Sequence, residues 1–346
     1  MLTNEEDFLD YAMSHGFGDL HFKVDPHSGL RAIIAIHSTK LGPALGGCRF
    51  IEYPNTAAAI KDAMRLARSM SYKAAAVNLP LGGGKAVIIK PKTPFNRSEY
   101  MEQFGRFIQD LNGRYITAVD SGTSLSDMDI IGDYTKHVAS LSVHDGDPSP
   151  STAKGVLKGI QAAVAFKLGK DHLQGIHVAL QGLGHVGYSL AALLYNAGAS
   201  LTVSDIDPAK VELAVKNFGA KAVSSDIIHK VPCDVFAPCA LGAVINEQSI
   251  NELQTTIIAG AANNQLGHAT DGKKLHEKGI LYAVDYVINA AGLIYAASKY
   301  FHTPQEKVNY QIDGIYTSLL EIFTISAREN IPTSEVADNL AQDRLS

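Results

Sequence analysis

Two glycine-rich stretches carry the residues that could do chemistry. NLPLGGGKAVI, residues 78–88, sets three glycines directly before Lys85. GLGHVGY, residues 182–188, spaces Gly182, Gly184 and Gly187 as G-x-G-x-x-G. The first stretch reads in three ways: a phosphate loop, a catalytic lysine at the mouth of a strand, or a plain turn with a solvated lysine. A phosphate loop needs G-x-x-x-x-G-K-[ST]. Here residue 79 is leucine and alanine follows Lys85, so both the first glycine and the magnesium-binding hydroxyl are missing. The lysine reading gains from two other residues, Lys73 in MSYKAAA and Asp120 at the end of RYITAVD. Together they offer a fixed cation for a carboxylate and a set of proton-transfer groups. A lysine buried near a second lysine is driven toward the neutral amine by desolvation and by like charge. The glycines would leave room for a substrate against the backbone. On local sequence alone the plainer readings stay open. Lys85 also fits a turn, Lys73 a helix C-terminus complementing the dipole, and Asp120 the N-cap of a helix over 125–134.

The second stretch has the right surroundings. The strand IHVALQG precedes it, an Ala/Leu-rich helix follows, and the next strand ends at Asp205, 18 residues after Gly187. In a dinucleotide fold the first glycine makes the tight turn, the second lets the pyrophosphate approach, and the third lets helix and strand pack closely. The phosphates then sit at a helix N-terminus, with His185 and Val186 between the second and third glycines. Asp205 would accept hydrogen bonds from the adenosine ribose and repel a 2′-phosphate, favouring NAD over NADP. Asp207 follows the same strand and competes for that assignment.

The elements that must position these residues fall into two blocks. In the first, residues 5–15 read as a helix, HFKVD and LRAIIAIH as strands, and 56–70 as a helix with Ala59, Ile60, Ala63, Leu66 and Ala67 at helical spacing. KAVIIK, after the glycines, reads as a strand, SEYMEQFGRFIQDL as a helix and RYITAVD as a strand. Residues 143–152, rich in turn formers, mark a boundary. Beyond it, helices over 153–168, 186–197 and 208–218 alternate with short apolar strands, and the chain is helical after Asn289. That rhythm predicts a parallel sheet covered on both faces. The fold class is therefore α/β: an N-terminal α/β domain over 1–145 and a Rossmann-type doubly wound domain over 146–324, with a C-terminal helix, about 325–346, returning to the first.

The chain has 346 residues, 46% hydrophobic and 19% charged, with a formal net charge of −5. It is long enough for two packed domains, and its charge gives no reason to bind nucleic acid or an anionic membrane. No signal peptide and no run of about 18 apolar residues is visible. Cys48, Cys233 and Cys239 form neither a disulfide framework nor a zinc pattern, and no histidine pair has metal spacing, so no metal is expected and a cytoplasmic location is the default. His185 and His144 read as bystanders to the chemistry, and Cys239 as a small packed hydrophobe.

Over nearly its whole length the chain resembles the glutamate/leucine/phenylalanine/valine dehydrogenase superfamily, and within it the leucine dehydrogenase branch. The likeness rests on LGPALGGCR (41–49), DAMRLARSMSYKAAA (62–76), NLPLGGGKAVI (78–88), NGRYITAVDSGTS (112–124), APCALGAVIN (237–246), IAGAANNQL (258–266) and DYVINAAGLI (285–294). The resemblance implies that Lys85 polarises the substrate and activates water, that Lys73 pairs with the α-carboxylate, and that Asp120 exchanges protons with the amino group. It places Gly46 and Gly47 against the substrate backbone, and Asn263, with Asn264, near the nicotinamide ribose or the substrate carboxylate. It adds Ala240 to the cofactor-binding set of Gly182, Gly184, His185, Val186, Gly187 and Asp205. The implied reaction is reversible oxidative deamination of an L-amino acid with NAD, giving a 2-oxo acid, ammonium and NADH, in a cleft between the domains.

Leu45 stands where glutamate-specific members carry a lysine for the side-chain carboxylate, and with Ala118, Leu293 and Ala296 it implies an apolar pocket. A second substrate carboxylate there would be a buried unpaired charge. L-leucine and other branched aliphatic acids fit; phenylalanine, tryptophan or valine is the alternative. A silent NAD-binding scaffold is a reading of another class, opposed by the intact Lys73, Lys85 and Asp120. A 2-hydroxy acid enzyme would need a His/Arg/acid set that nothing here nominates. The implied partners are small molecules and further copies of the chain, as a dimer or an octamer.

Overall fold

The computed structural model describes residues 8–143, 146–240 and 242–346. The start of the helix expected over 5–15 lies outside the described residues, as does His144. The chain divides into two compact units. The first comprises the described residues up to Gly146, with Ala296–Pro304 and Ala341–Ser346; the second comprises Asp147–Tyr295 and Gln305–Leu340.

The first unit runs α1 (Phe8–Ser14), β1 (Asp19–Asp25), β2 (Leu30–Ser38), β3 (Ala44–Ile51), α2 (Thr56–Ala76), β4 (Gly82–Ile89), α3 (Arg97–Asp110), β5 (Tyr115–Val119) and α4 (Leu125–Gly132). Its strands order β1-β2-β4-β3-β5. β1, β2 and β4 pair antiparallel, while β3 lies parallel to both β4 and β5. β2 is a nearly unbroken apolar run because both its faces are covered. Leu30, Ala32, Ile34 and Ile36 meet Tyr100, Met101, Phe104 and Ile108 of α3 on one face. Ile33 and Ala35 meet Ala59, Ala63, Met64 and Ala67 of α2 on the other.

Two local expectations are corrected here. α2 starts on its Asn55 cap and does not stop at Met70; it runs to Ala76, burying Ala74, Ala75 and Ala76, so Lys73 stands in its last turn. Gly82, Gly83 and Gly84 are not a loop before the strand but its first three residues. Packing explains why. A Cβ at Gly83 would lie 2.5 Å from Ala67 O on α2, one at Gly84 2.8 Å from the Tyr115 ring, and one at Gly82 2.9 Å from Gly42 O. Glycine here admits a helix on one face and an aromatic ring on the other.

The second unit holds α5 (Ser149–Leu168), β6 (His177–Gln181), α6 (His185–Asn196), β7 (Ser200–Ser204), α7 (Pro208–Phe218), β8 (Lys221–Ala222), β9 (Val235–Pro238), α8 (Glu247–Glu252), β10 (Ile257–Ile258), α9 (Thr270–Glu277), β11 (Leu281–Tyr282), α10 (Asp285–Ile288), most of α11 (Ala291–Tyr300), α12 (Gln305–Glu329) and most of α13 (Thr333–Leu345). The six strands order β11-β10-β9-β6-β7-β8 and pair in parallel throughout. The alternating rhythm of the sequence thus becomes a doubly wound sheet. α5 begins four residues before the expected 153.

The C-terminal part differs from the expected return of residues 325–346. α12 belongs to the second unit. A Cβ at Gly159 of α5 would lie 2.8 Å from Leu319 Cδ1, and the Phe166 and Phe323 rings stand 5.6 Å apart. The start of α13 is held there too, by Thr333 Oγ1 donating to Tyr282 O at 2.7 Å. In the last turn of α13, grouped with the first unit, Arg344 donates to Ala75 O and Ala76 O at 2.9 and 3.2 Å. A cation there complements the C-terminus of α2.

Candidate active site

β3 lies between β4 and β5, and its register carries the site. Leu45 pairs with Gly83 and Cys48 with Ala86, so Gly47 sits opposite Lys85; on its other side Gly47 pairs with Ala118. Side chains alternate across a sheet. Ala44, Cys48 and Phe50 enter the core beneath α3, so Leu45, Gly47 and Arg49 face α2. Lys85, buried to 6% exposure, extends across Gly47 and donates to Asp120 Oδ2 just beyond β5. A Cβ at Gly47 would lie 2.7 Å from Asp120 Cβ. Only glycine leaves this passage open. Gly46 plays a different part: its Cβ would lie 2.7 Å from the Gly84 carbonyl carbon, and its own carbonyl accepts from the buried Tyr115 hydroxyl at 2.6 Å.

The Asp120 loop is pinned to β3. Thr123 Oγ1 donates to Cys48 O at 2.9 Å, Phe50 N to Ser121 O at 2.9 Å, and Ser121 N to Asp120 Oδ1 at 2.7 Å. Asp120 is not a helix cap; Ser124 caps α4 in a capping box with Asp127. Burial alone would raise the Asp120 carboxyl. The charge and hydrogen bond of Lys85, the Ser121 N–H and the Arg49 charge outweigh it and hold the carboxyl below its ordinary range. The sequence predicts a like-charged neighbour for Lys85; the structure gives it a carboxylate, so the lysine is one half of an ion pair.

A second set of charges adjoins it. Arg49 Nη1 donates to Asp62 Oδ2 at 2.7 Å, and Arg49 Nε stands 3.8 Å from Asp120 Oδ2. Asp62, on α2, also accepts from Tyr53 Oη at 2.7 Å and Arg65 Nη2 at 3.0 Å. Neither Arg49 nor Asp62 was nominated from the sequence. The signal was there: Leu45, Gly47 and Arg49 follow the period of two within LGPALGGCR.

Lys73 is half-buried in α2, while Leu45 and Ala118 are buried on the same sheet face as Gly47. Leu293 is buried in the α11 part of the second unit; Ala296 opens the stretch of α11 grouped with the first.

In the second unit β6 is flanked by β7 and β9, so the chain reverses direction across the sheet at the carboxyl end of β6. That is where open α/β sheets bind ligands. Gly182 has φ +94°, its N–H donates to Ser204 O at 2.8 Å, and a Cβ on it would lie 2.9 Å from Ala240 N. A Cβ at Gly187 would lie 3.0 Å from the Gly182 carbonyl carbon. Gly184 is the N-cap of α6 with no side-chain cap, and a Cβ there would meet nothing within 4 Å. The helix N-terminus is thus open to an anion, and these residues fit a dinucleotide. His185 is exposed and Val186 half-buried in that first turn.

Asp205 follows β7 directly. Its Oδ2 accepts from Leu183 N of the glycine loop at 2.5 Å and its Oδ1 from Asp207 N at 2.8 Å. Asp207 is used otherwise, capping α7 through Ala209 N at 3.1 Å. Asn263 is exposed, and its Oδ1 accepts from Asn289 Nδ2 at 2.8 Å; Asn264 beside it has φ +51°. Burial pushes the Cys239 thiol up to about 12, as for a packed, inert cysteine. Among the described residues no helix is long and apolar enough to cross a membrane.

Comparison with known proteins gives this geometry a lineage. Residues 18–137 match the family model described as Glu/Leu/Phe/Val dehydrogenase, dimerisation domain, and residues 207–329 that described as Glutamate/Leucine/Phenylalanine/Valine dehydrogenase. The chain is 48% identical over 342 residues to a leucine dehydrogenase of Bacillus subtilis, covering 98% of this chain and 94% of that protein. It is 46% identical over 319 residues to an L-tryptophan dehydrogenase of Nostoc punctiforme, covering 92% and 90%. The crystal structure of the L-tryptophan dehydrogenase from Nostoc punctiforme superposes with a TM-score of 0.90 at 42% identity, over 98% of each chain. A glutamate dehydrogenase from Thermus thermophilus, at 19% identity and a TM-score of 0.74, shares the fold. Fold and site define a two-domain α/β dehydrogenase with a nicotinamide cofactor. The chain belongs to the glutamate/leucine/phenylalanine/valine dehydrogenase family, and its reaction is that of an amino acid dehydrogenase acting on a CH–NH2 group.

Proposed function

We propose that the protein catalyses the NAD-dependent, reversible oxidative deamination of L-leucine. The observation that carries this is the buried Lys85 paired with the half-buried Asp120 across Gly47, with Leu45 and Ala118 on the same face. Asp120 takes a proton from the substrate ammonium, leaving the amine that hydride loss requires. Lys85 then orients water for attack on the resulting imine and stabilises the carbinolamine oxygen. Their shared hydrogen bond lets a proton pass between them. Lys73 binds the α-carboxylate. NAD, when bound, supplies the hydride acceptor. It would be held by Gly182, Gly184, His185, Val186, Gly187, Ala240 and Asn263, with Asp205 on the adenosine ribose disfavouring a 2′-phosphate. The balance is L-leucine, NAD⁺ and water to 4-methyl-2-oxopentanoate, ammonium, NADH and a proton.

Leu45 and Ala118, buried on one face of the first unit's sheet, set the side-chain selectivity, and Leu293 and Ala296 of α11 are the further contacts that the family resemblance implies. Leu45 offers no cation, so glutamate would bring an unpaired carboxylate. One methylene in such a pocket is worth about 1–3 kcal/mol, so isoleucine and valine are slower substrates rather than excluded ones. The first unit binds substrate and assembles the homo-oligomer, a dimer or octamer; the second binds NAD. The protein works in the cytoplasm.

The test is NADH formation at alkaline pH with L-leucine, L-isoleucine, L-valine, L-phenylalanine, L-tryptophan and L-glutamate. Highest kcat/KM on leucine upholds the proposal. Preference for tryptophan or phenylalanine keeps the mechanism and reassigns the pocket to an aromatic side chain. No turnover on any of them overturns the proposal.

A further inference from the structure

Asp120 Oδ2 has two cations directed at it. Lys85 is hydrogen-bonded to it, and Arg49 Nε lies 3.8 Å away. That Arg49 N–H is buried and makes no hydrogen bond, although the other end of the guanidinium is fixed on Asp62. A buried, unused donor on a charged group is costly unless it has a second state in which it is used. We infer that Arg49 is a positioning residue of this site: anchored on Asp62, it takes over Asp120 Oδ2 when Lys85 turns from the carboxylate to the substrate.

This rests on the deamination reading, in which Lys85 must engage substrate oxygen or water during turnover. At that moment Asp120 would lose its main partner. Its Oδ1 stays fixed by Ser121 N, but Oδ2 would be bare. Arg49 needs only to close the gap from 3.8 Å to a hydrogen bond. Asp62 makes this possible without freeing the arginine. It is held by Tyr53 and Arg65 and is itself largely shielded, so it fixes one edge of the fork and leaves Nε to move.

The charges around Asp120 come from each packed element. β4 supplies Lys85, and β3 supplies Arg49 and the neutral Cys48 thiol. α2 supplies Asp62 through Arg49 and carries Lys73 in its last turn. Beyond the loop, Asp127 of α4 is paired with Arg97 of α3. Arg49 is the cation that can follow Asp120 through the cycle, and it keeps the carboxylate ionised and aimed.

The experiment compares wild type, Arg49→Gln and Arg49→Lys in L-leucine deamination across pH. Gln keeps a hydrogen bond to Asp62 but removes the charge. Arg49→Gln should lower kcat by about tenfold with KM changed by less than about threefold. The acid limb of its kcat profile, which reports the substrate complex, should move up by about one pH unit, since the carboxylate loses an opposite charge. Arg49→Lys keeps the charge but not the fork, since one ammonium head cannot stay on Asp62 and reach Asp120 together; it should return the limb and leave kcat lowered. An unmoved limb in Arg49→Gln, or an Arg49→Lys with wild-type kcat, overturns the inference. Should the Gln variant not fold, Arg49→Lys carries the test: kcat lowered by about threefold or more with the limb near that of wild type upholds it, and a wild-type kcat overturns it. A wild type inactive on every amino acid overturns the deamination reading itself, which is a separate result.

Discussion

In the first unit the glycines of β3 and β4 lie where a Cβ would strike a neighbouring strand, helix or ring. In the glycine motif of the second, Gly184 faces open space, while Gly182 and Gly187 are closed by the protein itself. The same residue type thus answers two demands. Around Lys85 glycine is required by the fold, because the site lies inside a covered sheet. At Gly184 nothing in the protein requires glycine, and the proposed requirement is the approach of the dinucleotide from outside. Each unit can accordingly be perturbed in a way that leaves the other's role intact.

The sharpest separation is Lys85→Ala. Its turnover should fall about 10³-fold or more, while NADH affinity, measured by fluorescence titration, stays within about twofold. Equal losses of both would mean that the two glycine-rich stretches do not divide the work. Gly83→Ala should act on folding instead. Its Cβ would press on Ala67 O and the backbone of Ser71, and overpacking of this kind costs about 1–3 kcal/mol or more. Thermal unfolding should begin earlier, whereas an unchanged melting curve would show that α2 yields.

Gly184→Ala is the counterpart. Gly184 has φ −65°, which alanine adopts freely, and nothing stands within 4 Å of its Cβ. Stability should be unchanged while the Kd for NAD rises by about tenfold, the methyl standing where the pyrophosphate approaches. A Kd equal to wild type would break the contrast. Asp205→Ser should lower the NAD:NADP preference by about tenfold. Because Asp205 also holds Leu183 N, absolute affinity for both cofactors should weaken somewhat; an unchanged ratio would move the ribose contact elsewhere.

These residues were unequally legible. The dinucleotide motif is local, so strand, turn and helix lie within one short stretch, and spacing together with that context picks out Gly182, Gly184 and Gly187. The Lys85–Asp120 pair joins residues from two strands across a third, and no period in the sequence reports that β3 runs between β4 and β5. Family resemblance supplied the names; the register supplied the reason for Gly47. Arg49 was passed over because its partners, Asp62 and Asp120, come from a helix and a loop that only the fold assembles. The C-terminal helices were read as helices, but their unit was not, since Gly159 and Phe166 of α5 show their partners only in three dimensions.

The smallest expected difference is in acid. Asp62, Asp120 and Asp127 of the first unit are partly or wholly buried, and burial would raise each carboxyl. Hydrogen bonds and cations more than offset this and hold all three below the usual range. A depressed folded pKa contributes stability that is complete above the unfolded value of about 4 and is lost as pH falls through the folded value. The corresponding groups of the second unit, Asp147, Asp226 and Glu252, are more exposed. Between pH 5 and 3, pulse-labelled hydrogen exchange should therefore show the first unit losing protection before the second. Simultaneous loss would mean that the charge network around Asp62 and Asp120 adds little to folding.

The vacancy at position 47 also limits how this enzyme can diverge. No side chain is admissible there while Lys85 must reach Asp120, so a lineage seeking a new substrate inherits an immovable centre. Its freedom lies at the neighbours, Leu45 two residues back on β3 and Ala118 directly across on β5. On the proposed mechanism, changes there would reshape the substrate wall without disturbing Lys85 and Asp120, which makes them the natural first positions for a directed library.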